Sequence, residues 1–214
     1  TDVDRVEILR GPQGTLYGKN TTAGAINVTS RAPSFSPEAR AEVSYGNLDY
    51  LSAKGSVSGP LVADTVAIRL SAGVTSRRGT IYNVTTDRYV NAQDNLSLRS
   101  RILWRAAPTL SLTLSGDYNR QDPACCAQIY ARVGPTQRPA NRQYAALAAA
   151  FGYAPPSTNA FDRVTDLDTP LRAKQALGGL SLLGEWDVGA GTLTSVTAWR
   201  FWNWDPSNDR DFTG

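Results

Sequence analysis

Seven stretches of this chain alternate apolar and polar residues with a period of two, and no other feature limits its possible folds as strongly. Arg40–Tyr45 sets Ala41, Val43 and Tyr45 against Arg40, Glu42 and Ser44. Leu51–Gly59 sets Leu51, Ala53, Gly55 and Val57 against Ser52, Lys54, Ser56 and Ser58. Val66–Val74 is cleaner, with Val66, Ile68, Leu70, Ala72 and Val74 opposite Ala67, Arg69, Ser71 and Gly73. Leu96–Arg105, Thr109–Tyr118, Ala176–Asp187 and Thr192–Trp202 continue the pattern, although Val196 and Ala198 blur the last of them. A period of two is that of an extended strand, whose side chains point alternately to two faces. Such runs in series predict an all-β chain, and their length suits the ~9–11 residues of a tilted membrane-crossing strand.

The connections alternate too. Gly59–Asp64, Ala106–Pro108 and Val188–Gly191 are tight turns, whereas Arg77–Asn95 and Gln121–Ala173 are long excursions. Short turns at one end and long loops at the other are the build of an outer-membrane barrel, the short end being periplasmic. Gly46–Asp49 is the exception, a brief turn where an outer loop is expected. An apolar stripe can also pack against a second sheet in a soluble β-sandwich, of which a carbohydrate-binding module is the functional form. Three features favour lipid. Arg40, Lys54, Arg69, Arg99, Arg101 and Glu185 crowd the polar face, as a wide wet lumen allows. Tyr45, Trp104, Tyr118, Trp186, Trp199, Trp202 and Trp204 gather near strand ends, as in an interfacial girdle. A connection as long as 120–173 is uncommon in a soluble domain and ordinary in an extracellular barrel loop.

Composition removes other functions. The chain has 214 residues, 41% hydrophobic and 19% charged, too apolar for a disordered tail. Histidine is absent, which excludes His-dependent triads, HExxH zinc sites and His-ligated haem within this stretch. The cysteines are the adjacent pair Cys125 and Cys126, too few for a disulfide framework or a four-ligand zinc site. A net charge of +3 is too weak to argue for nucleic acid. No catalytic, cofactor or metal site is expected, and the chain reads as a non-enzyme. No apolar stretch approaches the ~20 residues of a helical membrane span. With Thr1 first and no Met, the chain reads as a piece of a longer protein.

Residues 1–33 differ from the rest. Val3–Arg10 and Ala25–Thr29 read as short strands around a glycine-rich turn, and residues 34–39 read as a Pro/Ser linker before a barrel portion, 40–214. Gly18-Lys19-Asn20 invites a phosphate-loop reading, which fails because Gln13 stands where the first Gly is needed and Asn20 lacks the Mg²⁺-binding hydroxyl. What the stretch resembles is the end of the plug domain of TonB-dependent outer-membrane receptors. The residues that carry the likeness are Arg5-Val6-Glu7-Ile8-Leu9-Arg10-Gly11-Pro12, then Gly14, Leu16-Tyr17-Gly18, then Gly24-Ala25-Ile26-Asn27. It departs from the family pattern at Ala23, where a paired glycine is usual, and at Ser30, which separates Thr29 from Arg31.

The resemblance implies a plug inside a barrel of roughly 22 strands, whose first seven or so lie here. It implies an outer-membrane location in a Gram-negative bacterium. It also implies uptake of a scarce small-molecule nutrient such as a ferric siderophore, driven by TonB and its inner-membrane energising complex through an N-terminal box outside this stretch. Outer-membrane lipid is the remaining partner. Arg5, Glu7 and Arg10 look like charges that pair between plug and barrel wall, and Gly11, Gly14, Gly18 and Gly24 like residues serving tight backbone geometry. In the long loop, Tyr130, Arg132, Arg138, Arg142 and Tyr144 are candidate contacts for an anionic or aromatic ligand, and 141–152 has an Ala-rich run suited to a short helix ended by Gly152. Cys125 and Cys126 are left open between bonding to each other, to other partners, or remaining free thiols.

Overall fold

The computed structural model describes residues 1–134 and 136–209. Twelve strands occur among them. β1 (Val3–Arg10) and β2 (Gly24–Ser30) form an antiparallel hairpin. β3 (Glu38–Gly46), β4 (Tyr50–Val62), β5 (Val66–Arg77), β8 (Gln93–Ala107), β9 (Leu110–Gln121), β11 (Arg172–Asp187) and β12 (Thr192–Ser207) form one seven-stranded antiparallel sheet in which neighbours in sequence are neighbours in space. Three short strands lie in the long connections: β6 (Ile81–Asn83), β7 (Arg88–Val90) and β10 (Val164–Thr165). Every alternating run becomes a strand of the large sheet. β3 starts at Glu38, two residues before the expected Arg40, because Glu38 and Ala39 already pair with Ser58 and Val57.

Burial separates the two readings of the apolar stripe. In a sandwich the apolar parity would be covered and the polar parity bare. The reverse holds here. Ser52, Ser56, Ser58, Arg69, Ser71 and Thr113 are buried, while Val57, Leu70, Leu98, Leu114 and Leu180 are bare and Val43 is 71% exposed. A sheet that hides its serines and arginines and presents leucine outward is a wall with lipid outside and a polar, filled interior. The turns agree. Those joining β4 to β5, β8 to β9 and β11 to β12 are short and share one end, and the long connections share the other.

Register corrects part of the aromatic reading. Trp104 and Trp186 pair with the outward residues Leu112 and Leu193, towards the short-turn end, and Tyr45 and Tyr118 face outward towards the other. Trp202 and Trp204 do not join that girdle. They sit opposite Leu177 and Gln175, on the inner parity with Arg200, their rings stacked 5.7 Å apart. The Trp202 indole N–H donates to Gln175 Oε1 at 3.4 Å. Val196 and Ala198, which blur the pattern of β12, belong to this same inner row.

The connections β5–β8 and β9–β11 are not separate excursions. β10 pairs in parallel with β6, which pairs with β7, so the two long loops share a three-stranded sheet. Beneath it Leu167 (1% exposed), Ile81, Val90 and Ala127 form a core, with Ile129 and Leu171 against it. Asn83, itself buried, donates from Nδ2 to Leu167 O at 2.7 Å, and its Oδ1 accepts from the N–H groups of Thr85 and Thr86. Asn91 accepts from Ala127 N–H at 2.8 Å and donates to Ala127 O at 3.2 Å. These amides satisfy backbone groups that loop burial would otherwise leave unpaired. The result is a small folded cap on the long-loop end.

Candidate functional site

Two places carry the chemistry: the seam where the hairpin meets the inner wall, and a cavity inside the cap. The seam is built from charged side chains that the inward parity of β5 and β8 delivers at successive heights. Arg69, 3% exposed, donates from Nε to Asp2 Oδ2 at 2.5 Å and from Nη2 to Asp2 Oδ1 at 3.0 Å. Its Nη1 reaches Glu38 Oε2 at 3.1 Å and Ala32 O at 3.4 Å. Ser71 and Ser56 donate their hydroxyls to the same Asp2 carboxylate, at 2.7 and 3.4 Å. One strand further on, Arg101 Nη1 donates to the carbonyls of Ser30 and Arg31, both at 2.9 Å, and Arg99 donates to Ser30 Oγ. Burial pushes the Asp2 carboxyl up, but the hydrogen bonds from Arg69 and Ser71 and the guanidinium charge outweigh it, and the group sits below the usual carboxylate range. A two-bond fork from a planar guanidinium fixes orientation as well as position.

The plug-motif charges do not make this seam. Arg5 Nε pairs with Glu7 Oε1 at 3.3 Å within β1 itself, and Glu7 Oε2 accepts from Asn27 Nδ2 across the hairpin at 2.7 Å. Arg10 makes no ion pair among the described residues, although its carbonyl accepts from Gln13 Nε2 at 3.3 Å. The charge that bridges hairpin and wall is instead Asp2, just outside the motif, on Arg69, while Arg99 and Arg101 bond the Ser30 hydroxyl and the Ser30 and Arg31 carbonyls, and the Arg31 guanidinium itself faces Asp2 and Asp4 on the hairpin side. The rest of the motif shapes the turn. Gly14, Leu16 and Tyr17 belong to a one-turn helix, α1 (Gly14–Tyr17), after Pro12, and Gly11 and Gly18 flank it with positive φ. Gly24 combines φ of +148° with a close approach: a Cβ there would lie 2.4 Å from Leu9 O. Ile26 is bare among the described residues.

In the cap, three of the five loop candidates come together. Tyr130 and Tyr144 rings lie 5.7 Å apart, and with Arg132 they line a cavity of about 530 Å³. Gln128, Tyr153 and Asp166 add to its polar lining, and Ile129, Val164 and Pro156 to its apolar part. Tyr153 donates its hydroxyl to Asp166 Oδ1 at 3.4 Å. Burial, then the neighbouring Tyr130 and Asp166, push the Tyr144 hydroxyl up, so it stays a neutral donor. Arg138 and Arg142 lie outside this lining. The expected helix forms as α2 (Tyr144–Phe151), closed by left-handed Gly152, and it is what carries Tyr144 to the cavity. Cys125 and Cys126 are bonded to each other, beside Ala127 of the cap core. Tyr153 and Asp166 escape sequence reading because only the pairing of β10 with β6 brings their segment back over residues 128–132.

A lipid-facing sheet whose inner side is occupied by a docked hairpin defines a plugged outer-membrane barrel. Known proteins agree. The pesticin receptor of Yersinia pestis is 44% identical over 61 residues, 28% of this chain and 9% of that receptor. The ferrioxamine B receptor of Salmonella typhimurium is 30% identical over 128 residues, 56% of this chain and 16% of that receptor. The crystal structure of the ferric yersiniabactin uptake receptor FyuA from Yersinia pestis matches 97% of this chain and 30% of its own, with a TM-score of 0.75 at 18% identity. The chain thus spans well under a third of the curated relatives it matches. No family model matches. The stretch is TonB-dependent outer-membrane receptor sequence, running from plug into barrel, of the kind found in the outer membrane of Gram-negative bacteria.

Proposed function

We propose that the full-length protein is a TonB-driven transporter that binds a scarce nutrient outside the cell, such as a ferric siderophore, and admits it by rearranging the plug. TonB, energised by the proton-motive force, acts through a plug segment N-terminal to these residues. The observation that carries this reading is the seam. A hairpin held against the inner face of the barrel wall by a few directional charge-assisted bonds has a defined place to let go. The relatives named above, a ferrioxamine B receptor and a ferric yersiniabactin uptake receptor, support the choice of an iron chelate. No step calls for covalent chemistry, and the reading is of a receptor without catalytic residues.

The test is uptake of radiolabelled ferric siderophores by cells expressing the intact gene under iron limitation. Accumulation that vanishes in a TonB-deficient host or with a protonophore supports the proposal. Accumulation that persists at the same rate in both would refute it, since passive diffusion through an open barrel needs neither.

A further inference from the structure

The cap cavity has a composition that the plug and wall do not explain. Residues that stabilise loops are ordinarily satisfied by the loop itself, as Asn83 and Asn91 are. Arg132 stands exposed at the cavity's rim and forms no ion pair among the described residues. The Tyr130 and Tyr144 rings line it as a pair tilted by 35°, and the Tyr153 hydroxyl donates to Asp166, also of the lining. Its volume of about 530 Å³ falls in the range of pockets that enclose a small organic molecule. It is also built on ordered elements. Tyr144 rides on α2, and Val164 and Thr165 are held by β6 through Tyr82 and Asn83. A pocket on such a base loses little freedom when it fills.

We propose that this cavity is a ligand-capture site for a planar aromatic carboxylate, separate from the barrel lumen. The aromatic ring lies against Tyr130 and Tyr144, where offset or edge-on packing of rings is favourable. The carboxylate meets Arg132, whose fork of N–H donors matches two carboxylate oxygens. Asp166, with the Tyr153 hydroxyl on Oδ1, retains acceptor capacity for a hydroxyl or N–H on the ligand's other end. This deepens the uptake proposal and rests on it for biological sense: the cap would gather cargo before it enters the barrel.

The experiment measures binding, not uptake, so the two proposals fail separately. The full-length receptor in detergent micelles is titrated with 6-hydroxy-2-naphthoate, followed by the probe's fluorescence, and with the neutral 6-hydroxy-2-naphthamide as comparison. Saturable binding of the acid is expected, with the amide weaker by about tenfold. Arg132→Gln should weaken the acid by about tenfold and leave the amide unchanged. Tyr130→Ala should weaken both, while Arg138→Gln and Arg142→Gln, outside the lining, should change neither. Unaltered heat-modifiable migration of each variant shows that the barrel still folds. Equal binding of acid and amide, no saturation, or indifference to both Arg132→Gln and Tyr130→Ala would each overturn the site. TonB-dependent siderophore uptake that survives such a result would leave the transport proposal standing alone.

Discussion

Arg69→Met tests the seam where its energetics are most explicit. The guanidinium is 3% exposed and the Asp2 side chain 8%, so removing Arg69 strands a carboxylate away from water. Breaking a buried ion pair from one side costs about 3–5 kcal/mol. The orphaned Asp2 keeps Ser71 at 2.7 Å, Ser56 at 3.4 Å and Arg31 at 3.8 Å, which hold back part of that loss. About 2–3 kcal/mol remains, equivalent to a roughly 30- to 150-fold gain in the population with the seam open. Ala67 reports this opening: it lies two residues from Arg69 on the same inner parity and is 0% exposed. In full-length receptor carrying Ala67→Cys, the introduced thiol should react with 4,4′-dithiodipyridine roughly 30- to 150-fold faster once Arg69→Met is added. Adding Asp2→Asn to that background removes the stranded charge and should recover about tenfold. Labelling that rises less than about threefold on Arg69→Met would refute the claim that this pair holds the hairpin to the wall.

Other expectations follow from single contacts. Because the Asp2 carboxyl is held below its ordinary 3.8, its contribution is complete above that value and is lost as pH falls through the lowered one; labelling of the Ala67→Cys thiol, normalised to denatured protein, should match at pH 7 and 5 and climb only in stronger acid. Leu114→Arg on the outer face should cost about 2–4 kcal/mol of barrel stability in lipid vesicles by denaturant titration, and Asn119→Arg on the inner face, away from lipid, clearly less. Gly179→Ala would set a Cβ 2.1 Å from Trp199 O and should part β11 from β12, seen as loss of the heat-modifiable folded band on gels. Asn83→Ala strands the N–H groups of Thr85 and Thr86 and the carbonyl of Leu167, costing the cap about 1–3 kcal/mol and speeding limited proteolysis between residues 155 and 170.

The large sheet was legible because its two surroundings are chemically opposite. A strand between hydrocarbon and a polar interior must alternate, and Val66–Val74 does so at every position but Ala67, a small residue on its inner row. The parity of Trp202 and Trp204 was not legible. An inner wall may carry aromatic and small apolar residues where it borders protein, so Val196, Ala198 and two tryptophans on the inward row of β12 obscure the pattern. The seam was hidden for another reason. Asp2 and Arg69 are 67 residues apart, and neither belongs to a recurring motif; only the register of β5 against β4 and β8 lines Arg69 up with Ser56 and Ser71 under the hairpin. Arg5 and Glu7 stand out in sequence because they lie in the motif, and they turn out to brace the hairpin itself. The cap had no periodic signal, since strands of two or three residues complete too few repeats to show one.

The placement of the seam bears on how the hairpin could leave the wall. Among the described residues its polar attachments gather at one end: Asp2 just before β1, and Ser30, Arg31 and Ala32 where β2 runs out into the wall. Attachments strung along a strand in shear must break together, whereas attachments clustered at one end yield in sequence. Each of these ties has water-competent groups on both sides, so breaking it exchanges protein bonds for hydration. The fork on Asp2 is therefore the strongest single tie, and the carbonyl contacts of Arg101 follow it. A hairpin braced internally by Arg5, Glu7 and Asn27 can then move as a unit, keeping its own pairing while its ties to the wall are undone.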